Sequence, residues 1–171
     1  REIYLAAFEA AIKEGKPDTV MCSYNEINGT FASENHWLLT EVLRDEWGFA
    51  GYVMSDWGAV NDRVRGLAAG LDLEMPASGG HTDAEIVAAV KNGTLDEAVL
   101  NRAVERILRI IFKFADGRRP GDFDMEKHNR LAERIATESM VLLKNDGLLP
   151  LPKEGKKIAF IGKFAEKPRF Q

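Results

Sequence analysis

The stretch Gly51-Tyr52-Val53-Met54-Ser55-Asp56-Trp57 decides how the chain is read. It starts on a glycine, runs through a short apolar segment with β-branched and aromatic members, and ends on a carboxylate beside a tryptophan. Bounded by Gly51 and Gly58, it reads as a buried strand. A buried strand that stops on an acid presents that acid at its C-terminal end, where α/β proteins place their ligands. The competing account makes Asp56 the N-cap of a helix starting at Gly58-Ala59-Val60.

Upstream, Tyr4, Phe8 and Ile12 recur every four residues and give residues 2–14 one apolar helical face, ended by Gly15. Thr19 to Tyr24 is apolar on both faces, as a strand buried in a parallel sheet would be. Asn25 to Asn35 is a polar loop around the turn dipeptide Asn28-Gly29. Leu38, Leu39, Val42, Leu43 and Trp47 form the next helical stripe, closed by Gly48. Downstream of Asp56 come a helix around Val60–Ala69 and a short strand, Leu71–Met75, stopped by Pro76.

Helices alternating with short apolar strands specify βαβ units, so the fold class is α/β with a parallel sheet. Three strands do not close an eight-stranded barrel. Either the sheet is open, or further strands precede it. Thr82-x-x-Glu85 and Thr94-x-x-Glu97 fit capping boxes and predict two helix starts. The second helix is long, carries Val99, Val104, Ile107, Leu108, Ile111 and Phe112 on a wide apolar face, and is expected to close a domain.

Residues 116–126 combine two glycines, Pro120 and dense charge, a linker composition. Beyond it, Leu131, Ile135 and Ala136 begin another amphipathic helix, and Met140–Leu143 could extend it or turn to strand. Lys157–Gly162 reads as the first strand of a second α/β domain. The chain opens inside an apparent helix without an initiator Met, so it is expected to be a piece of a longer polypeptide.

The 171 residues carry a formal net charge of −4, with 45% hydrophobic and 29% charged residues. That is the composition of a globular protein, with no basic footprint for nucleic acid or anionic lipid and no apolar run of membrane-spanning length. Cys22 is the only cysteine, which excludes an internal disulfide and leaves the compartment undetermined. His36, His81 and His128 lack metal-ligand spacing, so no metal or cofactor is expected.

Three segments, in order and covering nearly the whole chain, resemble glycoside hydrolase family 3. Val20-Met21-Cys22-Ser23-Tyr24-Asn25 with Asn28-Gly29 is similar to that family's sixth barrel strand. Leu43-Arg44-Asp45-Glu46-Trp47-Gly48-Phe49, followed by Gly51 to Trp57, resembles its nucleophile region. His128-Asn129 through Ser139, Val141-Leu142-Leu143-Lys144-Asn145 and Leu149-Pro150-Leu151 resemble the passage into its second domain.

The resemblance implies the C-terminal part of a (β/α)8 barrel over residues 1–115, a linker at 116–127, and the start of an α/β sandwich domain over 128–171. It implies a retaining β-glycosidase, most simply a β-glucosidase, using two carboxyl groups about 5–5.5 Å apart. By motif position Asp56 is the nucleophile, Trp57 an aromatic wall for the sugar, and Tyr24 and Met21 lining residues of the same subsite. Read without the resemblance, Tyr24 and Met21 are ordinary core residues, and Trp57 suits the core as well as it suits a sugar-facing wall. A tryptophan after the nucleophile is associated in this family with β-glucosidases, whereas β-xylosidases often carry another residue; the β-N-acetylglucosaminidase branch fits less well.

Arg63 is a candidate for an outer subsite. Glu74 ends the next strand but is not taken as the partner acid, because the family supplies that glutamate from its second domain, outside this chain. Glu26, Glu34, Asp45 and Glu46 are expected to be solvated or capping. The implied partners are a β-glucoside or oligosaccharide substrate and the remainder of the polypeptide. The competing classes are a non-catalytic carbohydrate-binding remnant and a structural piece that completes a barrel.

Overall fold

A computed structural model describes residues 1–119, 121–155 and 157–169. The chain divides into two compact units, Arg1–Arg119 and Pro120–Gln171. Pro120, the proline of the expected linker, lies outside the described residues.

In the first unit, helix α1 (Ala6–Gly15) leads through a left-handed Lys16 (φ 48°) into strand β1 (Thr19–Met21). Strands β2 (Glu26–Ile27) and β3 (Thr30–Phe31) form an antiparallel hairpin. Asn28 and Gly29 turn it with φ of 53° and 77°, the backbone that Asn-Gly favours in a two-residue hairpin loop. The hairpin replaces part of the loop expected between Asn25 and Asn35. A 3₁₀ turn (Ala32–Glu34) and a π-helix (Trp37–Glu46) follow. The π-winding shows at its end, where the Trp47 N–H reaches the Val42 carbonyl at 3.1 Å.

Strand β4 (Tyr52–Met54) lies parallel to β1, with Val20 opposite Val53 and Met21 opposite Met54. The expected strand Leu71–Met75 is reduced to one parallel bridge, Leu73 to Met54. Even so, Leu73 N–H bonds the Val53 carbonyl at 3.0 Å and Ser55 N–H bonds the Leu73 carbonyl at 2.9 Å, so three parallel segments lie side by side in chain order. Ile12, Cys22, Leu39, Val42, Leu43, Trp47, Phe49, Val53 and Leu71 make one core between these segments and the helices. Met21 stays exposed.

Gly51 opens β4 where a side chain has no room: a Cβ there would meet the Asp18 carbonyl oxygen at 2.0 Å and the Phe49 ring at 2.8 Å.

Helix α2 (Arg63–Ala69) starts later than the sequence suggests. Its N-cap is Asp62, whose side chain accepts the Arg65 N–H at 2.9 Å. Asp56 therefore caps no helix. Both expected capping boxes also shift. Helix α3 (His81–Lys91) has Gly80 at its N-cap, and the Thr82 hydroxyl bonds Glu74 and Ser78 instead. Helix α4 (Glu97–Asp116) is capped by Asp96 through the Ala98 N–H at 2.9 Å, while Thr94 bonds the Ala89 carbonyl.

Leu67, Ile86, Ala89, Leu95 and Ala103 form a second core cluster, with Val99 and Leu100 packed against it. Farther along α4, Val104, Leu108, Ile111 and Phe112 are exposed while Ile107 and Ile110 are half-buried, so its wide apolar face is only partly covered.

In the second unit, helix α5 (Met125–Ser139) is capped by Asp124 through the Lys127 N–H at 2.9 Å and stops before Met140, which is extended. Helix α6 (Lys163–Glu166) is a single turn. The strand expected at Lys157–Gly162 does not form: residues 157–161 carry no ladder bonds to a partner segment. A first strand needs a neighbour to fill its backbone hydrogen bonds, and none lies in this unit's described residues.

A buried ion cluster fastens the start of β4. Asp72, its side chain 1% exposed, accepts Arg44 at 2.6 Å and Val53 N–H at 2.8 Å on one oxygen, and Arg106 at 2.9 Å on the other. Arg44 also donates to the Gly51 carbonyl at 2.9 Å and the Gly70 carbonyl at 3.3 Å. Burial pushes the Arg44 guanidinium below its ordinary range, and Asp72 pulls it back. Replacing Asp72 by Ala strips the partner from a buried guanidinium. It is expected to cost about 3–5 kcal/mol in urea unfolding of the protein that carries this chain; an unchanged midpoint would show that the cluster contributes nothing.

Candidate active site

Asp56 lies two residues past the end of β4, after Ser55, and sits half-buried at the C-terminal end of the parallel segments. The strand runs out because Ser55 makes the last ladder bond. The chain then turns, with Ala59 N–H bonding the Asp56 carbonyl at 3.1 Å. One Asp56 carboxylate oxygen accepts the Trp57 N–H at 2.6 Å, which restrains the rotation of the side chain.

Trp57 is 63% exposed, which excludes the reading of it as a core tryptophan. Tyr24 is 54% exposed, and its hydroxyl donates to the Trp57 carbonyl at 2.8 Å. Loss of solvent pushes the Tyr24 phenol above its ordinary range, and the neighbouring negative Asp56 carboxylate pushes the same way. Asp56, Trp57 and Tyr24 therefore share one exposed surface at the end of β4. Beneath them lies Cys22, whose thiol burial pushes up and the Asp56 N–H partly brings back.

Met21 is also exposed but faces elsewhere: with Tyr4, Phe8 and Trp37 it lines a cleft of about 660 Å³ that does not include the other three. Arg63 is drawn inward. It donates to the Leu71 and Asp72 carbonyls, both at 3.0 Å, and lies 3.8 Å from Glu74. An outer-subsite role is thereby corrected, because the guanidinium holds backbone carbonyls in the interior. Glu74 is committed to Thr82 and Arg63.

Glu34 is the acid furthest from its expectation. It is buried, not solvated, and its carboxylate accepts the Asp62 N–H at 3.0 Å, fixing the loop that ends in α2. Among the described residues, no group of three or more His, Cys, Asp or Glu side chains is arranged to hold a metal ion. None of their helices is long and apolar enough to cross a membrane.

Two buried hydroxyls at this site, Ser55 inside the Ser-Asp-Trp stretch and Ser33 outside it, are given no role by the sequence reading. Ser55 is 1% exposed and bonds both polar groups of the Met75 backbone, and Ser33 donates to the Ala59 carbonyl at 3.0 Å. The available signal for Ser55 was its place in the alternation: a hydroxyl where the strand turns toward the core needs a partner.

The profile described as the glycosyl hydrolase family 3 N-terminal domain matches residues 1–110. The chain is 59% identical over 173 residues to thermostable beta-glucosidase B of Acetivibrio thermocellus, covering 100% of this chain and 23% of that protein. It is 48% identical over 182 residues to an exo-alpha-(1->6)-L-arabinopyranosidase of Bifidobacterium longum, covering 100% of this chain and 24% of the relative. The solved structure of beta-glucosidase 3B from Thermotoga neapolitana in complex with alpha-D-glucose superposes with a TM-score of 0.72 at 42% identity. That match covers 86% of this chain and 22% of the other. The chain thus spans about a quarter of the length of these relatives, and with more than half its residues matched by the profile it belongs to glycoside hydrolase family 3.

Proposed function

We propose that the protein carrying this chain is a retaining β-glycosidase that releases terminal β-D-glucosyl residues, with Asp56 as nucleophile. The observation that carries the reading is a half-buried Asp56 at the end of a parallel strand, its carboxylate oriented by Trp57 N–H, beside an exposed Trp57 and Tyr24. Residues 1–115 are read as the last βα units of a (β/α)8 barrel, 116–127 as a linker and 128–171 as the start of a second, sandwich-like domain. The division of the chain after Arg119 falls inside that linker.

In this mechanism an Asp56 oxygen forms a bond to the anomeric carbon as the glycosidic C–O bond breaks. The bonding pair leaves with the aglycone oxygen, which takes a proton from a carboxylic acid supplied by a glutamate beyond this chain. Water then adds to the anomeric carbon, gives its proton to that carboxylate, and displaces Asp56 with its electron pair. Trp57 offers its ring to the apolar face of the sugar and Tyr24 steadies the Trp57 backbone, whereas the subsite role expected of Met21 is dropped, because Met21 lines a separate cleft.

β-Glucoside is favoured because relatives at 59% and 42% identity are named β-glucosidases. The second reading is an α-L-arabinopyranoside, favoured by the 48% identical relative of that name. Its ring has the β-D-galactoside arrangement without the C6 hydroxymethyl group, so the two readings differ at the subsite and not in the chemistry. Aryl β-D-glucoside, β-D-xyloside, β-D-galactoside and α-L-arabinopyranoside, compared by kcat/KM on the full-length protein, decide between them: preference for the arabinopyranoside overturns glucose.

Asp56→Asn in that protein is expected to lower turnover by several orders of magnitude with an unchanged urea midpoint. Near-normal activity would remove Asp56 from the mechanism. Residues 1–171 alone are expected to hydrolyse no aryl β-glucoside at a measurable rate, and turnover by the purified piece would show that a second carboxyl group lies within it.

A further inference from the structure

Ser55 precedes Asp56 and is 1% exposed. Its hydroxyl oxygen accepts the Met75 N–H at 2.7 Å and donates to the Met75 carbonyl at 3.0 Å, so one side chain engages both polar groups of a residue on the neighbouring segment. The same Met75 carbonyl accepts the Gly58 N–H at 3.2 Å. Met75 therefore holds the chain on both sides of Asp56-Trp57. Farther along, Ala59 N–H bonds the Asp56 carbonyl at 3.1 Å, and the fully buried Ser33 hydroxyl donates to the Ala59 carbonyl at 3.0 Å.

Packing alone does not ask for a serine here. Val53, two residues earlier on the same strand, is buried and apolar, and an apolar residue at 55 would continue that pattern. A buried hydroxyl is unfavourable unless it is hydrogen-bonded, and this one is bonded twice to the backbone that brackets the acid. Displacement at an anomeric carbon needs the attacking oxygen in line with the leaving bond, and a misplacement of about 1 Å costs on the order of 100-fold in rate.

We propose that Ser55, through Met75 and with Ser33 on the far side of the turn, is a positioning residue that sets the direction of the Asp56 carboxylate. This rests on the reading of Asp56 as nucleophile. Ser55 touches no reacting atom; it acts by fixing the backbone from which Asp56 projects.

The test uses the full-length protein and 2,4-dinitrophenyl 2-deoxy-2-fluoro-β-D-glucoside, which traps the glycosyl-enzyme and reports attack by Asp56 alone. Ser55→Ala is expected to label to full stoichiometry on the peptide containing Asp56, with an unchanged half-saturating concentration. Its inactivation rate constant at saturation should be lower by roughly 10-fold to 100-fold. Ser33→Ala, one bond further from Asp56, should lose less. A variant that labels at the unsubstituted rate constant but to lower stoichiometry would assign Ser55 to fold maintenance only and overturn the proposal. Should Ser55→Ala not accumulate as folded protein, Ser33→Ala decides, and an unaltered rate constant there overturns it. Label on a peptide without Asp56 would overturn the nucleophile assignment itself, a result distinct from any Ser55 outcome.

Discussion

The Asp72 carboxylate is where the separate pieces of the first unit meet. Its two oxygens take a guanidinium from the π-helix, a second guanidinium from α4 and the N–H of Val53, while Arg44 reaches on to the carbonyls of Gly51 and Gly70. Each group alone would be costly to bury, and together they satisfy nearly every donor and acceptor; Arg44 Nε is left without a partner. The result is geometric more than energetic. β4 starts at a defined point against the third segment, and everything it carries at its other end inherits that register.

Two kinds of restraint act on the parallel segments. At the start of β4 they are ionic and close-packed, around Asp72 and Gly51. At its end they are neutral hydroxyls, Ser55, Ser33 and Tyr24, each on a backbone carbonyl. For the nucleophile proposed at Asp56, neutral restraints suit the neighbourhood, because a guanidinium there would compete for the attacking oxygen. The inward turn of Arg63 fits this division, since its charge is spent on the Leu71 and Asp72 carbonyls and not on Asp56.

Much of this was legible in the residues. A run apolar on both faces gave β1 and one bounded by glycines gave β4, their parallel pairing followed from the helices between them, and the Ser-Asp-Trp stretch singled out Asp56 before any geometry. Helix starts were misplaced, because Thr82 and Thr94 each fit a capping pattern while Gly80 and Asp96 stand closer to the true first turn. Burial of Arg63 and Glu34 was hidden for a different reason: a charged residue reads as surface until its partners are known, and their hydrogen-bond partners are backbone groups with no side-chain signature, with Glu74 and Arg65 only at ion-pair distance. Lys157–Gly162 has a strand's composition, but composition does not supply the neighbour that a strand requires.

Gly51 carries a consequence for how such a site can change over evolutionary time. The Asp18 carbonyl occupies the space where any side chain at 51 would begin, so that end of the strand pair admits no sequence drift without moving backbone. Trp57, by contrast, stands in solvent beyond the last ladder bond. Under the sugar-facing role proposed for Trp57, mutation there can sample new preferences while the backbone at Gly51 stays fixed, a separation of heritable constraint from heritable variety only a few residues apart.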